Sequence, residues 1–309
     1  MKIVKPRFWR KKNSFFGLLL LPLSGIIQIL LKLKSLLTQE KKFRYPVICV
    51  GNIYIGGTGK TPLSIEIYKL LESLNYKPAI IKKKYSDHFD EISLIKSYQC
   101  QIFTGKKRKD IIDEAIEGGR DSFVLDDGYQ DHSIFKNLSI LCFNSDQLIG
   151  NGLSIPSGPL REPLSSLNRS KIIVINGNKN EDFELLIKKI SSKIEIFYSK
   201  YIPVNLNNFV KKNLLAFAGI GNPENFFTLL EKNGCNVVRK IFFPDHYQYK
   251  RKELEEVIEM AKKDNLEIIT TEKDFHRIEK MGFGSFKFLK LKLEIENKKK
   301  FDKLLKEYI

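Results

Sequence analysis

The stretch Val50–Pro62, VGNIYIGGTGKTP, decides the fold of this chain. An apolar run, PVICV, precedes it at 46–50, and leucines and isoleucines at helical spacing follow it over 60–75. A buried strand, a glycine-rich loop and a helix in this order are typical of a phosphate-binding P-loop. Glycines let backbone N–H groups converge on phosphate oxygens, and the helix N-terminus adds partial positive charge.

The loop therefore predicts a nucleotide site. Lys60 is expected to reach the β- and γ-phosphates, and the Thr61 hydroxyl to bind Mg²⁺. The general pattern G-x-x-x-x-G-K-[ST] has glycine at the position of Tyr54, so an ordinary glycine-rich turn is the alternative. The residues predicted to bind the nucleotide are Tyr54, Ile55, Gly56, Gly57, Thr58, Gly59, Lys60 and Thr61.

A second apolar run ends in carboxylates, in the sequence SFVLDDGYQ at 122–130. A carboxylate at the end of a strand beside a P-loop holds Mg²⁺ directly or through water. A turn that caps the strand is the alternative. In the proline-bracketed loop that follows, Arg161 is a candidate phosphate clamp, or part of a surface ion pair. The predicted metal-site residues are Thr61, Asp126, Asp127, Gln130 and Glu162.

Short apolar runs alternate with amphipathic stretches from Pro46 onwards, which predicts a parallel sheet with helices on both faces. A second, smaller α/β lobe is expected after the asparagine-rich stretch 204–213. We expect three parts: 1–36, 37–205 and 206–309. The predicted strands are 46–50, 78–82, 121–126, 138–143, 171–175, 194–198, 213–218, 235–241 and 266–270, and the predicted helices are 60–75, 106–117, 180–191, 223–233, 249–263, 272–281 and a lysine-rich C-terminal helix.

The net charge of +17 points to an anionic partner, and residues 1–45 hold eleven basic residues against one acid. No RNA- or DNA-binding signature accompanies this charge, which disfavours nucleic acid. The four cysteines are widely spaced and form no CxxC, so we expect reduced core residues.

The uncharged segment 15–31, FFGLLLLPLSGIIQILL, is flanked by basic residues. Pro22 is expected to kink or break a helix here. Ser24, Gln28 and Lys32 would form one polar stripe on an otherwise apolar helix. This favours a helix lying in the membrane interface. A single span, a buried core helix and a signal peptide are the alternatives.

Together the motifs resemble the tetraacyldisaccharide 4′-kinase family, in that family's order over about 46–275, and the non-glycine at Tyr54 is itself a family trait. The N-terminal segment is similar to the family's membrane-associating helix. The matching motifs are V-G-N-I-x-x-G-G-T-G-K-T-P (Val50–Pro62), D-E (Asp90-Glu91), D-D-G-Y-Q (Asp126–Gln130), N-G-x-x-x-P-S-G-P-L-R-E-P (Asn151–Pro163), F-P-D-H (Phe243–His246) and T-E-K-D (Thr271–Asp274).

The resemblance implies transfer of the ATP γ-phosphate to the 4′-hydroxyl of a tetraacylated glucosamine disaccharide 1-phosphate, which gives lipid IVA for lipid A biosynthesis. It implies ATP and Mg²⁺ as cofactors, two α/β lobes, and a peripheral or monotopic protein on the cytoplasmic face of the bacterial inner membrane. We expect an anionic membrane surface as a partner and a monomer. Asp90 and His246 would form the acid–base dyad, and Lys60 would be the third catalytic residue. The residues implied to face the substrate are Glu91, Asn151, Arg161 and Lys273.

The chain departs from the family where S-R-G-Y-G is usual, because Lys82-Lys83-Lys84-Tyr85 stands there with a shorter insert before Asp90. Asp87 or His88 is therefore an alternative to Asp90. Thr271–Asp274 also has the pattern of a helix cap. His132 and His276 are interpreted as surface residues. A P-loop GTPase is disfavoured because no N-K-x-D occurs, and a non-catalytic nucleotide-binding module is the third hypothesis.

Overall fold

The computed structural model describes residues 6–12, 14–84, 89–244, 247–284 and 286–309, without the side chains of Phe89 and Asp90. The helices α1 to α10 are Phe15–Leu19, Leu21–Leu37, Lys60–Ser73, Phe89–Ser97, Arg108–Glu117, Glu181–Ile190, Pro223–Lys232, Arg251–Lys263, Glu272–Ile278 and Lys298–Lys306. The strands β1 to β12 are Val47–Gly51, Pro78–Lys83, Ile102–Gly105, Ser122–Asp126, Leu138–Asn144, Ile172–Asn176, Glu195–Pro203, Asn213–Ala218, Asn236–Phe242, Glu267–Thr271, Lys287–Leu289 and Leu291–Ile295.

The chain divides into two units, and the first contains the described residues up to Lys83 together with Cys100–Lys200 and Leu293–Ile309. Its sheet has the order β12-β7-β6-β5-β1-β4-β2-β3. The strands from β7 to β3 pair in parallel throughout. β1 lies between β4 and β5, so the loop that follows β1 starts in the middle of the sheet. This confirms the predicted α/β fold with a central parallel sheet.

Apolar side chains of α3 explain why this helix packs on the sheet. Leu63, Ile67 and Leu71 are fully buried, as the predicted apolar face requires. Each contributes about 1.5–3 kcal/mol by leaving water. Helix α3 therefore has a fixed position, and its first turn presents Lys60 and Thr61 at the end of β1.

The N-terminal segment forms two helices, α1 and α2, that separate at Leu20. This confirms the expected break in the 15–31 segment. Pro22 stands in the first turn of α2, where the missing N–H has no helical partner to lose. The polar side of α2 faces the protein: the Ser24 hydroxyl donates to Ser154 O at 2.9 Å, and its oxygen is hydrogen-bonded to the Ser157 hydroxyl at 2.8 Å. Gln28 Nε2 donates to Arg161 O at 3.4 Å.

The apolar side of these helices is exposed instead. Among the described helices, none is long and apolar enough to cross a membrane. The large apolar residues exposed on α1 and α2 are Phe15, Phe16, Leu18, Leu19, Leu21, Leu23, Ile26, Ile29, Leu30, Leu31, Leu33, Leu36 and Leu37.

The second unit contains the described residues of two segments, Lys84–Gln99 and Tyr201–Lys292. Its four-stranded parallel sheet has the order β11-β10-β8-β9. Helix α4 packs against α9 within this unit, and the Tyr98 hydroxyl donates to Glu272 Oε2 at 3.3 Å. The division into units therefore differs from the predicted boundary at 205/206. Segment 84–99 belongs to the second unit, and segment 293–309 belongs to the first.

All predicted strands and helices are present, with ends that differ by a few residues, except that β7 continues to Pro203. The sequence patterns missed α4, β3, β11 and β12, because these elements are short and have weak periodicity. The four cysteines are free and buried, as predicted.

Candidate functional site: a phosphate loop at the edge of the first sheet

Asn52 holds the loop between β1 and α3 in shape. Its side chain is fully buried, and Nδ2 donates to Tyr54 O at 2.6 Å, Gly56 O at 3.2 Å and Thr58 Oγ1 at 3.0 Å. Gly59, with φ of +89°, then starts α3 in a left-handed conformation that favours glycine. The loop is thus fixed by one amide side chain and one glycine before any ligand binds.

Tyr54 lies where the general P-loop pattern has glycine, and its surroundings explain the exchange. Its side chain is buried, and it pairs with Leu160 in an antiparallel bridge. On either side of it, Ile55 N donates to Pro159 O at 3.0 Å and Arg161 N donates to Ile53 O at 2.6 Å. The proline-rich loop 151–163 is therefore hydrogen-bonded to the start of the phosphate loop, at residues 53–55.

The Asp127 carboxylate pairs with two basic side chains next to the phosphate loop. Lys60 Nζ lies 3.8 Å from Asp127 Oδ1, and Arg161 Nη1 donates to the same oxygen at 2.9 Å. Burial alone would raise the pKa of Asp127, but the charges of Lys60 and Arg161 outweigh it and hold the pKa below its usual value. Asp127 is thus ionised and keeps two cations at the place where phosphates are expected.

Asp126, the last residue of β4, lies one position earlier and is completely buried. Thr61 Oγ1 donates to Asp126 Oδ2 at 3.1 Å, and Ser64 Oγ donates to Oδ1 at 3.3 Å. Lys82 Nζ forms an ion pair with Asp126 Oδ2. Thr61 and Asp126, both predicted to bind the metal, therefore lie in direct contact.

Two further predicted metal-site residues lie beside this cluster. Gln130 Nε2 donates to Asn52 O at 3.0 Å, and its Oε1 accepts from Arg161 Nη1 at 3.4 Å. Glu162 pairs with Arg169, and burial raises the pKa of Glu162. Glu162 Oε1 is buried without a hydrogen-bond partner among the described residues.

The donor set fits a magnesium ion. A threonine hydroxyl, carboxylates and a buried carboxylate oxygen without a partner are the hard oxygen ligands that Mg²⁺ prefers. Histidine, cysteine and acidic side chains of the described residues form no cluster of three that would hold a metal by themselves. This agrees with a metal that is bound by one or two carboxylates together with substrate phosphates.

Sequence reasoning missed three side chains of this site: Asn52, Lys82 and Arg108. Arg108 Nη2 donates to Asp127 O at 2.7 Å and to Asp126 O at 3.5 Å, and Nη1 pairs with Asp131 at 3.2 Å. Lys82 could have been found, since it ends a predicted strand and the carboxyl ends of neighbouring parallel strands lie together. No sequence pattern predicts the position of Arg108. It lies in the first turn of α5, after β3, and does not follow a strand that neighbours β1.

Of the residues predicted to face the substrate, Glu91, Lys273 and Asn151 contact other groups than the cluster around Asp127. Lys273 Nζ lies 3.7 Å from Glu91 Oε1 within the second unit. Asn151 fixes its own loop, donating from Nδ2 to Ser157 O at 2.9 Å and accepting from Leu153 N at 3.1 Å. The side chains of Asp90, His246 and the alternatives Asp87 and His88 lie outside the described residues.

The Thr271–Asp274 motif serves as a helix cap, which confirms the alternative interpretation. Thr271 Oγ1 accepts from Asp274 N at 3.1 Å. The fully buried Asp274 carboxylate also accepts from Gly219 N at 3.0 Å and from Tyr249 OH at 2.8 Å. The surface interpretation of His276 is wrong, because this side chain is buried and packs beside Phe288.

Comparisons with known proteins identify relatives of this chain. A family model described as Tetraacyldisaccharide-1-P 4'-kinase matches residues 16–309. A tetraacyldisaccharide 4'-kinase of Pelagibacter ubique is 43% identical over 314 residues, which cover 99% of this chain and 98% of that protein. A tetraacyldisaccharide 4'-kinase of Rickettsia akari is 34% identical over 291 residues, covering 89% and 88%. The crystal structure of LpxK from Aquifex aeolicus in complex with ATP has the same fold, with a TM-score of 0.74 at 22% identity over 95% of this chain and 99% of that one.

Proposed function

The chain belongs to the tetraacyldisaccharide 4′-kinase family, and from this premise we propose the reaction that it catalyses. It transfers the γ-phosphoryl group of ATP to the 4′-hydroxyl of a tetraacylated glucosamine disaccharide 1-phosphate, giving lipid IVA. The observation that carries the proposal is the cluster around Asp127, where Lys60 and Arg161 meet a preformed phosphate loop.

Phosphoryl transfer requires positioning and charge neutralisation more than covalent chemistry. Backbone N–H groups of the loop and the N-terminus of α3 bind the β- and γ-phosphates. Lys60 moves from Asp127 to these phosphates, since 3.8 Å is a loose ion pair that a polyanion replaces easily. Arg161 is held by Gln130 and Asp127, and its fork geometry suits contact with a phosphate oxygen.

Thr61 and Asp126 are the residues that hold Mg²⁺ in this proposal, with Asp127, Gln130 and Glu162 around them. The ion supplies neutralisation of the charge that develops on the transferred phosphoryl group. Asp126 is kept in place by Thr61 and Ser64, so it needs no reorganisation at that step.

Asp90 is the proposed base for the 4′-hydroxyl, with His246 as its partner. Support comes from the D-E and F-P-D-H motifs of the family resemblance. A base in hydrogen-bond reach of the acceptor hydroxyl contributes about 10²–10⁴-fold to the rate. Helix α4, which begins with Asp90 in its first turn, belongs to the second unit together with 201–292.

The lipid substrate and the exposed face of α1 and α2 suggest where the enzyme works. Ser24 and Gln28 attach α2 to loop 154–161, so the apolar side faces away from the protein. Such a face, next to basic residues, suits insertion into the headgroup region of an anionic membrane. We propose that the protein is a monomer bound peripherally to the cytoplasmic face of the inner membrane. Arg161 would connect α2 to the phosphate site, because its backbone carbonyl accepts from Gln28 and its guanidinium group binds Asp127.

A direct assay tests the reaction. Purified full-length protein is incubated with labelled ATP and tetraacyldisaccharide 1-phosphate in mixed micelles, and labelled lipid is separated by chromatography. Wild type should label the lipid, and Lys60→Met should lower kcat/KM at least about a hundredfold, because the phosphates lose a fixed cation. Lys69→Met, on the exposed side of the same helix, is the matched control.

The alternatives give different results in this assay. ATP hydrolysis that does not respond to the lipid would favour a regulatory or transport ATPase. ATP binding with neither hydrolysis nor lipid labelling would favour a non-catalytic module. Full lipid labelling by Lys60→Met would refute the assignment of the phosphate loop.

A further inference from the structure

Lys82 is an unusual residue to find in the interior of the first unit. It is 2% exposed and lies near the carboxyl end of β2, directly opposite Asp126 in the register of β2 and β4. Its ammonium group forms an ion pair with Asp126 Oδ2, and Asp126 itself is 0% exposed. Two unit charges are therefore in contact with almost no access to water.

The oxygen that Lys82 holds is the one that the metal needs. Thr61 Oγ1 donates to the same Oδ2 at 3.1 Å, and the other carboxylate oxygen accepts from Ser64 at 3.3 Å. A divalent ion bound between Thr61 and Asp126 would thus share its ligand with an ammonium group. Like charges at such distances repel strongly where water is excluded. A divalent ion at Asp126 Oδ2 therefore competes with the Lys82 ammonium group.

The surrounding charge strengthens this conclusion. Lys60, Lys82 and Arg161 pair with the carboxylates of Asp126 and Asp127. Arg108 donates to the backbone carbonyls of both aspartates and pairs with a third carboxylate, that of Asp131. Four basic side chains therefore meet three carboxylates here. A site with more cations than carboxylates attracts a polyphosphate and repels a free divalent ion. The four basic residues are Lys60, Lys82, Arg108 and Arg161.

We propose that Lys82 is the resident counter-ion of Asp126 and restricts divalent-metal binding to the nucleotide-bound protein. In the free enzyme the ammonium group occupies Oδ2 and keeps the buried carboxylate neutralised. When a nucleotide brings its negative phosphates, Lys82 leaves Oδ2 and Asp126 accepts the metal. Lys82 is a positioning residue that sets metal affinity and binding order, and the inference rests on the proposed metal placement at Thr61 and Asp126.

The test measures metal binding directly. Mn²⁺ binding to full-length, nucleotide-free protein is followed by the loss of the free-ion EPR signal, in wild type, Lys82→Gln and Lys77→Gln. The amide of Lys82→Gln can still donate to Asp126, so the fold keeps a hydrogen bond there while the charge is lost. Lys77 is exposed immediately before the same strand, and Lys77→Gln makes the same change in net charge. Lys82→Ser is the second variant if Lys82→Gln does not fold.

The neutral variant at position 82 should bind Mn²⁺ at least about tenfold more tightly than wild type and Lys77→Gln. Mg²⁺ should also raise its melting temperature more than that of wild type. Adding Asp126→Asn to the variant should abolish the gain. A lysine that merely neutralises a buried carboxylate would change the melting temperature in EDTA but would leave metal affinity unchanged.

Equal Mn²⁺ affinity in all three proteins would overturn the inference, and so would weaker binding in the position-82 variant. A gain that survives Asp126→Asn would place the metal elsewhere and overturn both this inference and the metal placement. None of these outcomes depends on lipid labelling, so a failure here is distinguishable from a failure of the proposed kinase reaction.

Discussion

The exposed apolar face of α2 allows a quantitative prediction about membrane binding. Ile26, Ile29 and Leu33 lie on one side of the helix and are 56%, 61% and 51% exposed. Full burial of such a side chain is worth about 1.5–3 kcal/mol, so inserting the exposed half contributes about 1 kcal/mol each. The triple variant Ile26→Gln/Ile29→Gln/Leu33→Gln should therefore lose about 3 kcal/mol of membrane affinity, or about a hundredfold in partition coefficient.

Co-sedimentation with vesicles that contain an anionic phospholipid measures this loss. Glutamine is a good helix former, and the three positions face solvent, so the melting temperature should stay close to that of wild type. The control is Leu185→Gln, which replaces a 60% exposed leucine that belongs to α6 and not to the N-terminal helices. Raising the salt from about 0.1 M to about 1 M should weaken binding of wild type only in part, because salt screens the basic residues and leaves apolar insertion intact.

Sedimentation of the triple variant with vesicles to the same extent as wild type would refute the insertion of this apolar face. Complete release of wild type by salt alone would show that the apolar face stays out of the bilayer. A large fall in melting temperature of the triple variant would mean that this face packs against protein.

Three further predictions concern the phosphate site and the dyad. Asp126→Asn should stay folded and lose lipid labelling at every Mg²⁺ concentration, and full wild-type activity in EDTA would contradict the metal requirement. Asp90→Asn and His246→Ala should each lower kcat far more than they raise KM for ATP. The double variant should be little worse than the worse single variant, because residues that act as a unit are not additive. An inactive Asp87→Asn together with a normal Asp90→Asn would identify Asp87, three residues earlier, as the base. Because its folded-state pKa is depressed, Asp127 contributes stability that is present above its unfolded pKa and is lost as pH falls through the folded value. The stability difference between wild type and Asp127→Asn, measured by urea unfolding, should be present at about pH 6 and shrink below about pH 4, and a difference that is constant with pH would disprove the charge assignment.

The features of this protein that depend on local pattern are predictable from its sequence. Short apolar runs predicted the strands, and the order of strand, GGTGKT and helix predicted the phosphate loop. Asp126 and Asp127 followed from their place at the end of an apolar run. Ser24 and Gln28 were recognised as one stripe because helical spacing depends only on neighbours three and four residues apart.

The tertiary structure decided which groups meet, since contacts between distant segments leave no periodic signal. It turned the polar stripe of α2 inward onto loop 154–161, so that the apolar side is exposed. It assigned segment 84–99 to the second unit, because α4 packs against α9. It also placed Lys82 on Asp126, because β2 and β4 are neighbours in a register that pairs their carboxyl ends. Strand order is set by packing of whole elements against each other, and a linear pattern cannot specify it.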